Sequence, residues 1–157
     1  VFGPPDIAAR VPAAQSLPLF ESQMVILASR YHPLAGRGAV TLADLDAARW
    51  ALHQPGTGIR QAADLLLRRL GVSDRVQANA LPSNMILSLL RMGDHLAVVP
   101  RYVLRNDSLA GELVKIDSGG ATISLGHAAI WTGTTPPAVV ARFVTHMTAA
   151  LATLDDA

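Results

Sequence analysis

The 157-residue chain is 50% apolar but only 4% aromatic, so its core must come from Ala, Val, Leu and Ile, and it is long enough for one domain or two small lobes. Its formal net charge of +1 comes from interspersed acidic and basic residues, and no basic run or stripe marks a nucleic-acid surface. With no cysteine, disulfides, thiolate metal sites and cysteine nucleophiles are excluded, and no apolar run approaches the roughly 18 residues that a bilayer span demands.

The chain opens Val1-Phe2-Gly3-Pro4-Pro5, without a methionine or a signal peptide, and reads as the tail of a strand entering a proline turn. Two expectations follow: a trimmed terminus, or a fragment cut inside a secondary-structure element. Pro4 to Ser16 is proline-rich and reads as a loop. Leu19 to Ala28 contains the continuous apolar run Met24-Val25-Ile26-Leu27, which suggests a buried parallel strand, broken by His32-Pro33-Leu34-Ala35-Gly36. Thr41 with Asp44 three residues later is a relative of the capping box and opens a short helix.

Trp50 to His53 reads as a strand end, bounded by Pro55 and Gly56. From Ile59, apolar residues at Ala62, Ala63, Leu66 and Leu70 keep helical spacing, and Gly71 supplies the stop. The turn between them, Gln54-Pro55-Gly56-Thr57-Gly58, places Thr57 to cap the helix, while Gly56 and Gly58 let the backbone approach a ligand. A helix start presents unpaired N–H groups and a positive dipole end, which suit a carboxylate, a phosphate or a sugar hydroxyl. Arg75 to Ala80 alternates as a second strand, and Pro82-Ser83-Asn84 turns into a helix with Met85, Ile86, Leu89 and Leu90 inward, ended by Gly93.

His95 to Val99 is a further buried strand, stopped by Pro100. Glu112–Ile116 and Thr122–Trp131 read as strands around the Ser118-Gly119-Gly120 turn. Thr135-Pro136-Pro137 starts a last helix, with an apolar stripe of Val140, Phe143, Met147, Leu151 and Leu154. Strand–helix–strand alternation predicts an α/β fold with a mainly parallel sheet, whose ligands gather beyond the carboxyl ends of strands. Both Gly56–Gly58 and Ser83–Asn84 lie there.

Constellations for catalysis are missing from the sequence. The five histidines never pair at i, i+4, and no carboxylate stands at metal-ligand spacing from them, so no metal site is expected. There is no GxSxG elbow and no Walker lysine, and Gln61 stands where a dinucleotide fingerprint needs its last glycine. Arg68-Arg69 reads as a solvated helix face, and Asp155-Asp156 as a frayed tail. No enzymatic activity and no cofactor are expected.

Several phrases then stand together: Leu17-Pro18-Leu19-Phe20-Glu21, Met24-Val25-Ile26-Leu27, His32-Pro33-Leu34-Ala35, and Thr41-Leu42-Ala43-Asp44-Leu45. They continue with Pro55-Gly56-Thr57-Gly58-Ile59-Arg60 and Gly93-Asp94-His95-Leu96-Ala97-Val98-Val99-Pro100. In this order and spacing the chain resembles the effector domain of LysR-type transcriptional regulators. Ser83–Leu90 and Arg91-Met92-Gly93-Asp94 resemble most a subgroup linked to sugar-related regulators.

The resemblance implies a type 2 periplasmic-binding-protein-like α/β fold of two Rossmann-like lobes, with a small polar or anionic metabolite in the cleft. Lobe two is expected over 21–130, with lobe one present only as 1–20 and 131–157. DNA contact then belongs to a helix-turn-helix that precedes the effector domain in the family. A cytoplasmic homodimer or higher homo-oligomer without membrane contact is expected. Among the residues, Thr57 matches a position in the turn that commonly bonds effectors, Gly56 and Gly58 shape that turn, and Ser83 and Asn84 match the neighbouring helix start. Arg60 is a candidate to balance an anionic ligand, or simply points outward. Two other readings are weighed and disfavoured: a transport-type solute-binding protein of the same fold, against which the lack of a signal peptide and of lipid-anchoring cysteines argues, and a small α/β enzyme, against which the missing acid/base or nucleophile cluster argues.

Overall fold

A computed structural model describes residues 1–72, 78–105 and 111–155. The first part of the strand expected from Arg75, and Asp156 of the expected tail, lie outside them, as do the side chains of Leu151 and Leu154. The chain divides into unit one, Val1–Ser22 with Leu125–Ala157, and unit two, Gln23–Ser124.

In unit one, β1 (Phe2–Gly3) pairs antiparallel with β7 (Ser124–Thr132), Phe2 opposite Ala129. Where a loop was expected over Pro4–Ser16, Pro5–Arg10 coils into a short 3-10 helix and β2 (Ala14–Ser29) has already begun by Ala14. Proline at the first helical positions favours such a turn, because its missing N–H is unpaired there anyway. Phe20 stacks on His127 with ring centroids 4.5 Å apart, and Phe2 lies against both His127 and Phe143. Phe143 belongs to α4 (Ala138–Asp155).

Unit two holds a mixed sheet in the order β6-β2-β5-β3-β4, built from β3 (Arg49–His53), β4 (Ala78–Leu81), β5 (His95–Pro100) and β6 (Leu113–Ile116). The expectation of a buried parallel strand at Met24–Leu27 is half corrected. Met24 to Ser29 are all buried, yet β2 runs antiparallel to both β5 and β6. A continuous apolar run reports burial on both faces and says nothing about the direction of its neighbours. Among the described residues, the parallel pairings are those of β3 with β4 and with β5.

Three helices complete the unit: α1 (Leu42–Ala47), α2 (Gly58–Leu70) and α3 (Ser83–Met92). The capping box of α1 is complete, with the Asp44 N–H donating to Thr41 Oγ1 and the Thr41 N–H to Asp44. Trp50 is fully buried, and its indole N–H donates to the Leu45 carbonyl at 3.1 Å, tying α1 to β3. The helix α2 buries Ala62, Ala63, Leu66 and Leu67, and Gly71 closes it at φ 80°. Leu67 completes a stripe that the spacing had placed on Leu70.

Val25 and Leu27 of β2, Ala51 of β3, Ala97 and Val99 of β5, and Leu113 of β6 form one core with Ile86 and Leu90 of α3. Leu89 packs partly against it, but Met85, expected inward, is 49% exposed. One residue off the stripe rotates a side chain about 100° around a helix, which carries Met85 off the sheet. Because β4 and β5 lie on opposite sides of β3, right-handed crossovers require α2 and α3 to cover opposite faces of the sheet.

Candidate functional site

Unit two brings two strand-to-helix corners to one edge. At the first, β3 ends on His53 and α2 begins at Gly58. Gly56 has φ +84°, and a Cβ there would meet nothing within 4 Å, so the backbone conformation and not crowding selects glycine. Gly58 is the first residue of α2. Thr57 caps the helix as expected: its Oγ1 accepts from the Arg60 N–H at 3.2 Å and donates to the Gln54 carbonyl at 2.9 Å. The hydroxyl proton is therefore spent inside the turn.

Arg60 does not simply point outward. Its Nε donates to Asp64 at 2.8 Å and its Nη1 to the His53 carbonyl at 3.0 Å, with only 21% of the side chain exposed. An aspartate one turn ahead and a carbonyl at the end of β3 give it nearer partners than solvent. It therefore fixes the end of β3.

At the second corner, Pro82 stands at the cap of α3, no side chain caps the helix, and Ser83 and Asn84 are its first exposed residues. Asn84 accepts the Ser88 hydroxyl on its backbone carbonyl. Ser83 reaches across to the first corner, its Oγ lying 3.0 Å from His53 Nε2. The two corners are thus joined by one hydrogen bond.

His53 is 8% exposed, and among the described residues its Nδ1 has no hydrogen-bond partner. Burial holds its pKa below the ordinary value, so the ring is neutral at physiological pH. A cavity of about 130 Å³ opens here, lined by His53, Ser83, Ile59, Leu87, Val99, Pro100, Tyr102 and Val103. None of these carries a charge at neutral pH, since burial raises the Tyr102 phenol pKa as well. Among the described residues, no group of three His, Cys, Asp or Glu side chains could hold a metal ion. No helix among them is long and apolar enough to cross a membrane.

Of the polar residues lining this cavity, the sequence reading named Ser83 as a candidate and passed over His53 and Tyr102. His53 carried a usable signal: it is the last strand residue before the glycine turn, where ligands gather in such sheets. Tyr102 lies just past the end of β5 and had the same one. Arg68 and Arg69 are exposed, as read, and Arg69 also donates to the Thr122 carbonyl at 2.7 Å.

The histidines set a pH dependence. Burial lowers the pKa of His32, His53 and His127 from 6.5 in the folded chain. Between 6.5 and those lowered values the unfolded chain binds more protons, so stability is full above 6.5 and is lost as pH falls through that window. Urea midpoints should drop from about pH 7.5 to about pH 5, and His53→Gln should flatten the slope. A midpoint that holds or rises on acidification contradicts this.

The LysR substrate binding domain family matches residues 1–152. The regulator CysL of Bacillus subtilis is 30% identical over 96 residues, covering 61% of this chain and 32% of CysL. The chain thus spans about a third of the length of that relative. The regulatory domain of Synechocystis CcmR, solved in complex with 2-PG, superposes with a TM-score of 0.68 at 22% identity, over 96% of this chain and 71% of that one. The cofactor-binding domain of the regulator Cbl gives a TM-score of 0.71 at 18% identity, over 90% of this chain and 62% of its own. The fold is therefore that of the type 2 periplasmic-binding-protein-like domains.

Proposed function

The chain belongs to the LysR substrate binding domain family, and from that premise we propose that it senses a small-molecule effector for a LysR-type, DNA-binding transcriptional regulator. The observation that carries the reading is the joining of two corners beyond the carboxyl ends of parallel β3 and β4 by the His53–Ser83 hydrogen bond. The start of α3, with no side chain to cap it, offers N–H groups and a positive dipole end to an oxygen-rich group.

The effector is a small polar or anionic metabolite, held against Gly56–Gly58 and Ser83–Asn84. The small-molecule complex of CcmR supports this class, and the likeness over residues 83–94 supports a sugar-related one within it. Unit two serves as lobe two of the effector domain, and unit one supplies this chain's share of lobe one. DNA is reached through a helix-turn-helix carried elsewhere in the full-length regulator, in the cytoplasm, and the effector is released unchanged.

Calorimetry on metabolites from a thermal-shift screen that begins with 2-PG tests the site. Ser83→Ala and Asn84→Ala should each weaken the best binder by about 1 kcal/mol or more, and mass spectrometry should return that compound intact. Unchanged affinity in both variants, or turnover beyond stoichiometry, overturns the reading.

The partner chain we propose is a second copy. In unit one, Val139 is 74% exposed and Phe143 39%, beside Phe2 at 43% and Val1 at 81%. A patch of this kind is unusual on a monomer, and twofold symmetry is the simplest way to cover it. Sedimentation across a concentration series should show a dimer that Phe143→Asp dissociates. A strict monomer at every concentration contradicts it.

A further inference from the structure

His127 sits where four elements of unit one meet. Phe2 of β1 lies opposite Ala129, two residues along β7 from His127, so the three side chains share one face of the sheet. On that face the imidazole stacks on Phe20 of β2, with ring centroids 4.5 Å apart and planes 8° apart, and on Phe2 at 5.4 Å. The helix α4 reaches the cluster through Phe143, which meets Phe2 edge-on at 5.9 Å. At 4% exposure the histidine stands where a core aromatic side chain would. Unlike phenylalanine, it can take up a proton.

The surroundings oppose that proton. Burial lowers the pKa of the ring, and a backbone hydrogen bond at Leu125 offsets burial only in part. Phenylalanine faces attract a cation weakly, but they do not replace the water that a charged imidazole loses. The charged and titratable groups on the elements around the stack are the Val1 α-amino group before β1, Glu21 next to Phe20 on β2, and Arg142 and His146 beside Phe143 on α4. The α-amino group is held on the Ile130 carbonyl at 2.6 Å, and the other three residues are exposed. None of them is among the groups that shift the His127 pKa. The 3-10 helix at Pro5–Arg10 covers the opposite face, where a Cβ on Gly3 would meet Ile7 and one on Gly126 would meet Pro5.

We propose that His127 is a proton-operated latch for α4. Neutral, the ring completes the stack on which Phe143 docks; charged, it leaves the stack for water, and α4 loosens with it. The direction follows from which state holds the proton better. With α4 released the ring is hydrated and its pKa returns towards 6.5, whereas with α4 docked it lies lower. Between those two values the released state binds more protons, so each pH unit of acidification raises the released-to-docked ratio up to about tenfold. Above 6.5 the ring is neutral in both states and the latch stays closed.

The test is hydrogen exchange of the α4 amides across a pH series from about 7.5 to about 5, corrected for intrinsic rates, with an NMR titration of the His127 ring. The β3 amides report any opening of unit two on the same samples. Opening of α4 should rise up to about tenfold per pH unit in the acid window, over and above any change in β3. His127→Phe keeps a ring in the stack and removes the proton site, so α4 opening should become independent of pH. His146→Gln removes the exposed imidazole on α4 itself and should leave the parent's pH dependence in place. Phe143→Ala should move the His127 midpoint up towards 6.5, because the coupling between ring and helix is reciprocal. A His127 midpoint at or above 6.5 in the parent overturns the proposal, as does an equal pH slope in His127→Phe or a slope that vanishes in His146→Gln. Should His127→Phe fail to fold, a His127 midpoint that Phe143→Ala leaves unmoved overturns it equally.

Discussion

Unit two depends on the parallel pairing of β3 on both sides, with β4 and with β5. A strand so enclosed, with Trp50, Ala51, Leu52 and His53 all buried, has its accessible chemistry only at its end. Parallel neighbours cannot be joined by hairpins, so a helix must carry the chain back each time. The helices α2 and α3 therefore both begin at the edge where β3 stops. Two helix starts meeting at one strand end is thus a consequence of topology, and the effector reading is built on it.

Local side chains then decide what that edge can do. Arg60 pairs with Asp64 and donates to the His53 carbonyl, which holds the strand end. Thr57 closes its own turn with both functions of its hydroxyl. What remains is the His53–Ser83 pair, the α3 start without a side-chain cap, and an apolar cavity beneath. On the effector reading proposed above, such a site discriminates by hydrogen-bond polarity and shape.

The elements were largely legible because their signals are local. Thr41 with Asp44, Thr57 before α2, and the Gly71 and Gly93 stops all act within one turn, and each appears where the pattern placed it. The direction of β2 was not legible, since partner direction is set by residues far along the chain that leave no mark on Met24–Leu27. The 3-10 helix at Pro5–Arg10 was hidden by prolines that favour a loop and a first helical turn alike. In the site, Ser83 followed from its helix start. Its bond to His53 spans thirty residues of sequence and exists only once β3 and β4 pair. The same holds for Arg60, whose carbonyl partner is brought to it by the turn.

Hydrogen exchange on the chain with and without a metabolite that stabilises it is the most direct measurement of the central claim, that one effector engages both corners. The account predicts slowed exchange in the Gln54–Arg60 turn and in the first turn of α3 from Ser83, with α1 unchanged. Protection confined to α1 or α4, with both corners exchanging as in the free chain, would contradict it.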